Sequence, residues 1–361
     1  MKKRKIALLY GGRSGEHEVS LRSAASVVNN LYLRIFEPIL IGIDKLGIWH
    51  LQQRSSFRSV PGQGEALEII KNNRPLALVP GKGLYQGNER LEIDVIFPVL
   101  HGTFGEDGTI QGLLEVVDIP YVGAGVLASS IAMDKEKAKI LWQKEGLPVV
   151  DFLVVRDTSA SAIAAIEETF NYPLFVKPAV GGSSVGIHRV NSHAELKPAL
   201  ADALNYANKL LAEPAIEGRE LECSVLGNRR PRAFPPGEII PQHGFYDYRA
   251  KYIDSEGALL AVPADLPAET AKLVEETAVR AYLALEISGM ARVDFFLEDK
   301  SNKLYISELN TLPGFTNISM YPKLCENGGL PYPALLEQLI ELALESNAEK
   351  NKLTYSFDKP I

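Results

Sequence analysis

Apolar and polar residues alternate with two different periods along this chain, and the changes of period mark its predicted elements. In the first block, residues 1–136, short apolar runs bounded by glycine, proline or charged residues predict strands. Between them, apolar residues recur every three or four positions and predict helices. The strands are predicted at 5–10, 38–43 and 94–100, and the helices at 17–31 and 107–117. Strands that alternate with helices in this way predict an open α/β sheet.

Two further blocks follow. The second, residues 137–227, mixes shorter elements and predicts a small α+β lobe. Its helices are predicted at 162–170 and 193–207, and its strands at 174–177, 186–190 and 222–226. The third, residues 228–361, has a polar stretch at 242–257 and then a hairpin between helices predicted at 267–285 and 330–344. A long polar stretch inside a compact domain is typical of a lid.

The hairpin of the third block carries the most informative polar pattern. Arg292 and Asp294 lie two residues apart on one predicted strand, and Glu308 and Asn310 lie two apart on the next. Because side chains of a strand alternate between its faces, each pair shares one face. Three oxygen ligands and a guanidinium then converge, a set that suits Mg²⁺ bound together with substrate phosphates. The alternative is an edge hairpin whose polar side faces water.

Glycine-rich turns supply candidate phosphate sites. Residues 177–186 place Lys177 at a strand end, before a Gly/Ser turn whose N–H groups and hydroxyls suit phosphates. This is not a Walker A loop, because Ile-His follows Gly186, and a plain hairpin turn is the alternative. Residues 123–128 fit the G-x-G-x-x-A spacing of dinucleotide enzymes. A tight turn into a helix explains those glycines as well, and we favour that reading.

Two turns of the first block place acids and a histidine where predicted strands end. Ligands of open α/β sheets bind at these carboxyl ends. Glu16 lies beside the glycine turn at 11–12 and would hold a substrate ammonium, whereas Glu18 complements the helix dipole. His101 follows the strand at 94–100. It is either a general base or a residue that orders its loop through hydrogen bonds.

Composition and charge exclude several classes of protein. A chain of 361 residues with 46% apolar and 23% charged residues predicts a globular protein of two or three domains. Its net charge of −7 argues against a nucleic-acid binder. The apolar run after the basic start is short and breaks at 11–12, which favours a strand over a signal peptide or membrane span. Cys223 and Cys325 lack metal-ligand spacing and predict free thiols in the cytoplasm.

Together these motifs resemble the D-alanine–D-alanine ligases of the ATP-grasp superfamily, over nearly the whole chain. The segments that carry the resemblance are 11–20, 101–112, 133–135, 177–186, 246–252 and 308–316. The resemblance implies a three-domain ATP-grasp architecture. It comprises an N-terminal open α/β (pre-ATP-grasp) domain at 1–136, a central lobe at 137–227, and a C-terminal domain at 228–361 with its lid near 242–257.

The resemblance also implies a reaction. ATP would phosphorylate the carboxylate of one D-alanine, and the amine of a second D-alanine would displace phosphate to give D-alanyl-D-alanine for peptidoglycan. Two Mg²⁺ or Mn²⁺ ions, a cytoplasmic location and a homodimer are expected on the same ground, and a nucleic-acid or membrane partner is not.

Site residues carry over by motif. For ATP the resemblance implies Lys135, Lys177, Gly182, Ser183, Ser184, Glu213, Ala215, Ile216, Glu220 and Lys251, and for the metal ions Asp294, Glu308 and Asn310. For the amino acids it implies Glu16, His101, Arg292, Gly314, Ser319 and Met320. Glu16 would form a catalytic network with Ser183 and Tyr252, while Arg292 and the Gly314 amide would stabilise a tetrahedral oxyanion. Pro214 has no N–H. The adenine donor that the resemblance implies would therefore be the N–H of Ala215 or Ile216.

Rival interpretations remain. A sister ligase would use D-lactate or D-serine as its second substrate. A nicotinamide dehydrogenase would rest on residues 123–128, and a non-catalytic nucleotide-binding regulator would need only the phosphate loops. Without the resemblance, the charged run around Lys135 would predict a solvated helix face. Ser319 would otherwise only cap a helix.

Overall fold

The computed structural model describes residues 2–52, 57–60, 64–182, 184–241 and 258–354. The strands are β1 (Arg4–Gly11), β2 (Phe36–Ile43), β3 (Trp49–Gln52), β4 (Phe57–Val60), β5 (Gly64–Leu67), β6 (Leu76–Val79), β7 (Gly83–Gln86), β8 (Glu89–Arg90), β9 (Val95–Val99), β10 (Leu153–Val155), β11 (Leu174–Pro178), β12 (His188–Val190), β13 (Leu210–Pro214), β14 (Gly218–Leu226), β15 (Arg232–Ala233), β16 (Gly237–Pro241), β17 (Ala258–Ala261), β18 (Met290–Glu298) and β19 (Leu304–Asn310). The helices are α1 (His17–Asn30), α2 (Thr109–Val117), α3 (Val126–Met133), α4 (Lys135–Lys144), α5 (Ala160–Thr169), α6 (His193–Ala203), α7 (Ala268–Ala284), α8 (Met320–Asn327) and α9 (Tyr332–Lys350).

The first block forms a four-stranded sheet in the order β3-β2-β1-β9. β1 runs parallel to both β2 and β9, and α1 makes the crossover from β1 to β2. The strand interiors are apolar and fully buried, as parallel strands covered on both faces require. The turns that follow β1 and β9 therefore lie side by side at the carboxyl edge of the sheet, where the sequence predicts ligand groups.

The second block contains an antiparallel sheet in the order β10-β13-β11-β12. Its apolar face packs against α5 and α6, with Ile166 and Leu196 fully buried between them and the strands. β11 and β12 are antiparallel neighbours, so the Gly/Ser turn at 177–186 joins two paired strands, as the sequence predicts.

The third sheet has the order β17-β16-β14-β18-β19, with β15 beside β14. The predicted hairpin is its β18–β19 pair. One assignment was wrong: the strand at 222–226 was placed in the second block, but β14 pairs with β18 along its whole length. Periodicity identifies a strand without naming its partner, and this partner lies far along the chain. The division into domains at 136 and 227 stays a prediction.

The glycines at 123–128 serve close packing and a turn into α3. Gly123 has φ +106°. A Cβ on Gly289 would lie 3.2 Å from the Gly123 Cα, so two backbones meet where side chains would not fit. The tight-turn explanation of this segment is therefore correct. In the described part of the chain, no helix is both long and apolar enough to span a bilayer. Cys223 and Cys325 are buried free thiols, as predicted.

Candidate active site

A cleft of about 1060 Å³ is lined by residues from all three blocks. The predicted site residues on its wall are Glu16, His101, Lys135, Lys177, Gly182, Ser184, Glu213, Ala215, Ile216, Glu220, Arg292, Asp294, Glu308, Asn310, Gly314, Ser319 and Met320. Three other predicted residues, Ser183, Lys251 and Tyr252, lie outside the described residues, as does the predicted lid at 242–257. One cavity thus gathers residues spread from position 16 to position 320.

The hairpin presents its polar face to this cleft. Arg292 lies opposite Asn310, and Asp294 lies opposite Glu308. The residues between them, such as Val293 and Leu309, point into the core. β18 is an interior strand between β14 and β19. β19 is the edge strand of its sheet, but all four polar side chains line the cleft, and those of Arg292 and Asp294 are only 19% and 15% exposed. The polar side therefore faces the cleft and not the bulk water that the alternative requires.

Five charged groups form what we call the hairpin cluster: Lys135, Glu222, Arg292, Asp294 and Glu308. The Arg292 guanidinium binds Asp294 through two hydrogen bonds of 2.7 Å, and its Nε lies 3.2 Å from Glu222 Oε2. Lys135 Nζ lies 3.2 Å from Glu308 Oε2. Burial alone would lower the pKa of Arg292, but the carboxylates of Asp294 and Glu222 raise it well above its ordinary value. Two cations against three carboxylates leave this cluster one negative charge in excess.

The hairpin residues fit a divalent cation that shares its ligands with a substrate. Among the described residues, no group of three or more His, Cys, Asp or Glu side chains is arranged as a metal site. Asp294, Glu308 and Asn310 offer two carboxylates and one amide oxygen on neighbouring strands. Mg²⁺ typically takes one or two carboxylates and completes its shell with phosphates and water. The donor set therefore suits a metal–nucleotide complex better than an all-protein metal site.

A second set of charges, the lysine cluster, consists of Lys139, Lys177 and Glu213. Glu213 lies 2.8 Å from Lys139 Nζ through Oε1 and 2.7 Å from Lys177 Nζ through Oε2. Burial acts to raise the pKa of Glu213, but the two ammonium groups outweigh it and hold the pKa below its ordinary value. Burial lowers the pKa of Lys139, which is 0% exposed, to about 8. With both lysines protonated, the cluster carries one positive charge in excess.

Lys135 is not on a solvated face. It is 7% exposed, and its Nζ donates to the Gly181 carbonyl at 2.7 Å. Its backbone N–H donates to the Ala179 carbonyl at 2.8 Å. Asp134 caps α4, and Lys209 binds both Asp134 oxygens at 2.7 and 2.6 Å. The start of α4 is therefore fixed to the base of the Gly/Ser turn, and Lys135 extends toward the cleft.

The segment after β13 limits how an adenine would bind. The N–H of Ala215 donates to the Pro173 carbonyl at 3.1 Å, so this amide is already used. Of the two predicted donors, Ile216 is the one that remains. Glu220 lies on β14, opposite Ile239, and lines the same cleft.

Glu16 and His101 also line the cleft. A Cβ on Gly102 would lie 2.7 Å from Glu16 Oε2, so the glycine makes room for this carboxylate. His101 is buried and lies within 3.0 Å of both Ser23 Oγ and the Leu312 carbonyl. Its contacts are those of a residue that orders its loop. Burial raises the pKa of the neighbouring Glu106 to about 7.

Gly314 and Ser319 lie beside each other in the lining of the same cleft. A Cβ on Gly314 would lie 2.7 Å from Ser319 Oγ. Ser319 occupies the N-cap position of α8, but its hydroxyl makes no capping bond to the helix. It accepts the N–H of Thr316 at 2.9 Å instead. The hydroxyl therefore faces the turn that carries Gly314 rather than the helix.

Sequence reasoning missed three residues of these networks. Glu222 shares a strand face with Glu220, so the two-residue period would have found it. Lys139 lies one helical turn after Lys135 and three residues before the buried Trp142, which places it on the packed side of α4. Ser23, by contrast, has no local signal, because its partners lie far along the chain.

Known proteins resemble this chain over nearly its full length. Residues 5–124 match the family model described as D-ala D-ala ligase N-terminus, and residues 141–341 match D-ala D-ala ligase C-terminus. A D-alanine–D-alanine ligase from Thermoanaerobacter sp. (strain X514) is 50% identical, over 97% of this chain and 99% of that protein. The D-alanine–D-alanine ligase from Treponema denticola is 46% identical, over 96% of this chain and 98% of that protein.

Solved structures give the same result. That of the D-alanine–D-alanine ligase from Coxiella burnetii has a TM-score of 0.83 and 38% identity, over 98% of this chain and 97% of that one. The VanG D-Ala:D-Ser ligase from Enterococcus faecalis has a TM-score of 0.81 and 34% identity, over 95% of this chain and 100% of that one. The predicted ATP-grasp fold class is confirmed. The chain belongs to the D-alanine–D-alanine ligase family.

Proposed function

We propose that this chain joins two D-alanines into D-alanyl-D-alanine, with conversion of ATP to ADP and phosphate. The observation that carries the proposal is the meeting of a net-negative hairpin cluster, a net-positive lysine cluster and a buried acid, Glu16, in one cleft. Relatives that are 46% and 50% identical over nearly their full lengths are D-alanine–D-alanine ligases. The product would supply peptidoglycan synthesis.

The nucleotide is held by groups that suit its charge and its base. Lys135 and Lys177 bind the phosphates, because both ammonium groups are nearly buried and reach the cleft. Gly182 and Ser184 line the cleft and contact the phosphates, and a role for Ser183 beside them rests on the resemblance to the family. The Ile216 amide binds the adenine, and Glu220 binds the ribose. Glu213 belongs to the same nucleotide site. Lys251 contacts the transferred phosphate by resemblance to the family.

Divalent ions, Mg²⁺ or Mn²⁺, would be held by Asp294, Glu308 and Asn310. When bound, such ions neutralise phosphate charge and help align the transferring phosphoryl group. The negative excess of the hairpin cluster supports this assignment, since a cation would balance it. Two ions are expected from the resemblance, and the same three side chains would hold them.

The amino acids occupy the end of the cleft near Glu16. Its carboxylate binds the ammonium of the first D-alanine, whose own carboxylate attacks the terminal phosphorus of ATP. ADP leaves, and the product is an acyl phosphate. The network of Glu16 with Ser183 and Tyr252 rests on the resemblance, and His101 orders the loop beside it.

The second step joins the amino acids. The free amine of the second D-alanine attacks the acyl carbon, and the resulting oxyanion is stabilised by Arg292 and the Gly314 N–H. Phosphate then leaves with the electrons of its bond to the acyl carbon, the attached nitrogen loses a proton to solvent, and the peptide bond is complete. Ser319 binds the carboxylate of the second D-alanine, and Met320 lines its site.

A homodimer and a cytoplasmic location are also proposed, on the resemblance alone. Sedimentation of the purified protein at several concentrations tests the first. A monomer at all concentrations would contradict it.

Phosphate release from Mg-ATP tests the proposed function. Purified protein is given D-alanine alone, then D-alanine with D-serine or D-lactate, and the products are identified by mass. We expect D-alanine alone to yield phosphate in step with D-alanyl-D-alanine. Release only with D-serine or D-lactate would assign the chain to a sister ligase. No release by folded, ATP-binding protein would contradict the proposal.

A further inference from the structure

The turn that carries the Gly314 amide is held from the first block of the chain. The Leu312 carbonyl accepts a hydrogen bond from His101 Nδ1 at 3.0 Å, and the Phe315 N–H donates to Ser23 Oγ at 3.3 Å. The peptide that contains the Gly314 N–H lies between these two anchored groups. Both neighbouring peptides are therefore fixed by side chains that lie outside the turn.

Ser23 and His101 are also joined to each other, with 3.0 Å between Ser23 Oγ and His101 Nε2. Because the Leu312 carbonyl can only accept, His101 Nδ1 carries a proton. In the neutral ring, Nε2 then accepts the Ser23 proton, while the Ser23 oxygen accepts the Phe315 N–H. Ser23 is 0% exposed and His101 is 5% exposed, so water does not compete for these bonds.

A second contact from α1 strengthens the hold. The Phe315 carbonyl accepts a hydrogen bond of 2.8 Å from the Tyr332 hydroxyl, and that hydroxyl lies 3.2 Å from Ser26 Oγ. Pro313 precedes Gly314, and its ring restricts the backbone on that side. The orientation of the Gly314 N–H is thus set largely by contacts to α1 and to the turn after β9.

We propose that Ser23 is a positioning residue that directs the Gly314 N–H toward the oxyanion of the ligation step. It acts through Phe315 and His101 and touches no substrate itself. The inference rests on the proposed function, which assigns the Gly314 amide to that oxyanion. It also links α1, whose first turn adjoins Glu16, to the turn that serves the second amino acid.

Loss of the Ser23 hydroxyl would slow the ligation step more than the phosphoryl-transfer step. The Phe315 N–H would lose its acceptor, and the turn would gain freedom around Gly314. Phosphoryl transfer depends on the hairpin and lysine clusters and would continue. Attack of the second amine would slow, so water would more often attack the acyl carbon, break its bond to the phosphate oxygen, and return D-alanine and phosphate. Each ATP would then yield less dipeptide.

Ser23→Ala tests this inference, with Ser129→Ala as its matched control. Ser129 is another fully buried helical serine, and its hydroxyl donates to the Ala124 carbonyl at 3.4 Å rather than bonding a group of residues 312–315. We expect Ser23→Ala to lower the turnover number for dipeptide about tenfold or more, in line with misplacement of a catalytic group. The ratio of phosphate to dipeptide should rise, while the KM for ATP stays near the wild-type value.

Ser23→Cys keeps a weaker acceptor at the same place and should fall between Ser23→Ala and the wild type. Equal phosphate-to-dipeptide ratios in Ser23→Ala, Ser129→Ala and the wild type would overturn the inference. A loss of dipeptide turnover that parallels the loss of thermal stability in both alanine variants would also overturn it. An inactive wild-type protein would instead overturn the proposed function. The two failures are therefore distinguishable.

Discussion

The hairpin cluster and the lysine cluster line the same cleft, yet they carry opposite excess charge. The hairpin cluster combines Lys135 and Arg292 with the three carboxylates of Glu222, Asp294 and Glu308. The lysine cluster surrounds the single carboxylate of Glu213 with two ammonium groups. Burying a charge is costly unless it is paired. Within each cluster the charges pair with one another, and the net charge of the cluster is one unit.

The sign of that remaining charge indicates what each cluster binds. A negative excess among oxygen ligands favours a divalent cation, whereas a positive excess in a buried pocket favours phosphate. A metal–nucleotide complex carries both charges and would balance both clusters at once. The comparison therefore predicts two different kinetic effects, one when a charge is removed from the hairpin cluster and another when a charge is removed from the lysine cluster.

The largest effect is expected from the hairpin cluster. Glu308→Gln keeps the size of the side chain but replaces a carboxylate ligand by a neutral amide oxygen and removes the negative excess. We expect the turnover number for phosphate release to fall about a hundredfold or more, because electrostatic groups at the reacting phosphate are lost. The measurement is D-alanine-dependent phosphate release, with circular dichroism to confirm the fold. Normal turnover would remove Glu308 from the metal site.

Glu222→Gln is the matched control for that variant. It removes the same charge from the same cluster, but Glu222 contacts Arg292 rather than offering a predicted metal ligand. We expect its loss to be clearly smaller, and the magnesium concentration for half-maximal rate to shift mainly in Glu308→Gln. Equal losses of turnover in the two variants would mean that the net charge of the hairpin cluster, and not metal ligation by Glu308, explains the effect.

A smaller effect is expected from the lysine cluster. In Lys139→Met, Glu213 keeps only Lys177 as its cation, so the positive excess disappears and Lys177 is held more tightly. We expect the KM for ATP to rise about tenfold, in line with the loss of one charge-assisted contact, and the KM for D-alanine to stay constant.

Trp142→Phe provides the control for Lys139→Met. It lies on the same helix and loses a hydrogen bond to the Ala281 carbonyl without any change of charge. Its KM for ATP should match the wild type. An equal rise in both variants would show that damage to α4, rather than charge, weakens ATP binding.

The smallest effect is expected from pH. Burial lowers the pKa of Lys139 to about 8, and the charged groups that face it are Glu213, Lys177 and Lys135. As the pH rises through 8, Lys139 loses its proton and the cluster loses its positive excess. The dissociation constant for ATP should therefore rise severalfold above this pH, by calorimetry. Lys139→Met should not show this step, and an identical step in both proteins would exclude Lys139 as its origin.

The sequence predicts which side chains share a strand face better than it predicts which strands pair. The two-residue period placed Arg292 beside Asp294 and Glu308 beside Asn310, and the sheet has them so. The same reasoning placed β14 in the wrong sheet, because no period states which strands pair. Ser23 shows the limit most clearly, since the Phe315 N–H that it accepts lies 292 residues later.

Burial explains why the alternative interpretation of Lys135 as a surface residue fails. Lys135 and its neighbours read as a charged run that would usually face water, but carboxylates and carbonyls supplied by other elements surround Lys135 and Lys139. Such partners compensate the loss of hydration and cannot be read from the run itself. The roles that depend on residues 183 and 242–257 stay predictions carried by the resemblance.

An isotope experiment tests the central claim most directly. D-alanine whose carboxylate is labelled with heavy oxygen is incubated with Mg-ATP and the purified protein, and the released phosphate is analysed by mass. If the first carboxylate attacks ATP, each phosphate formed with a dipeptide should contain one labelled oxygen. Unlabelled phosphate released in step with dipeptide would show that the carboxylate is never phosphorylated, and would contradict the account.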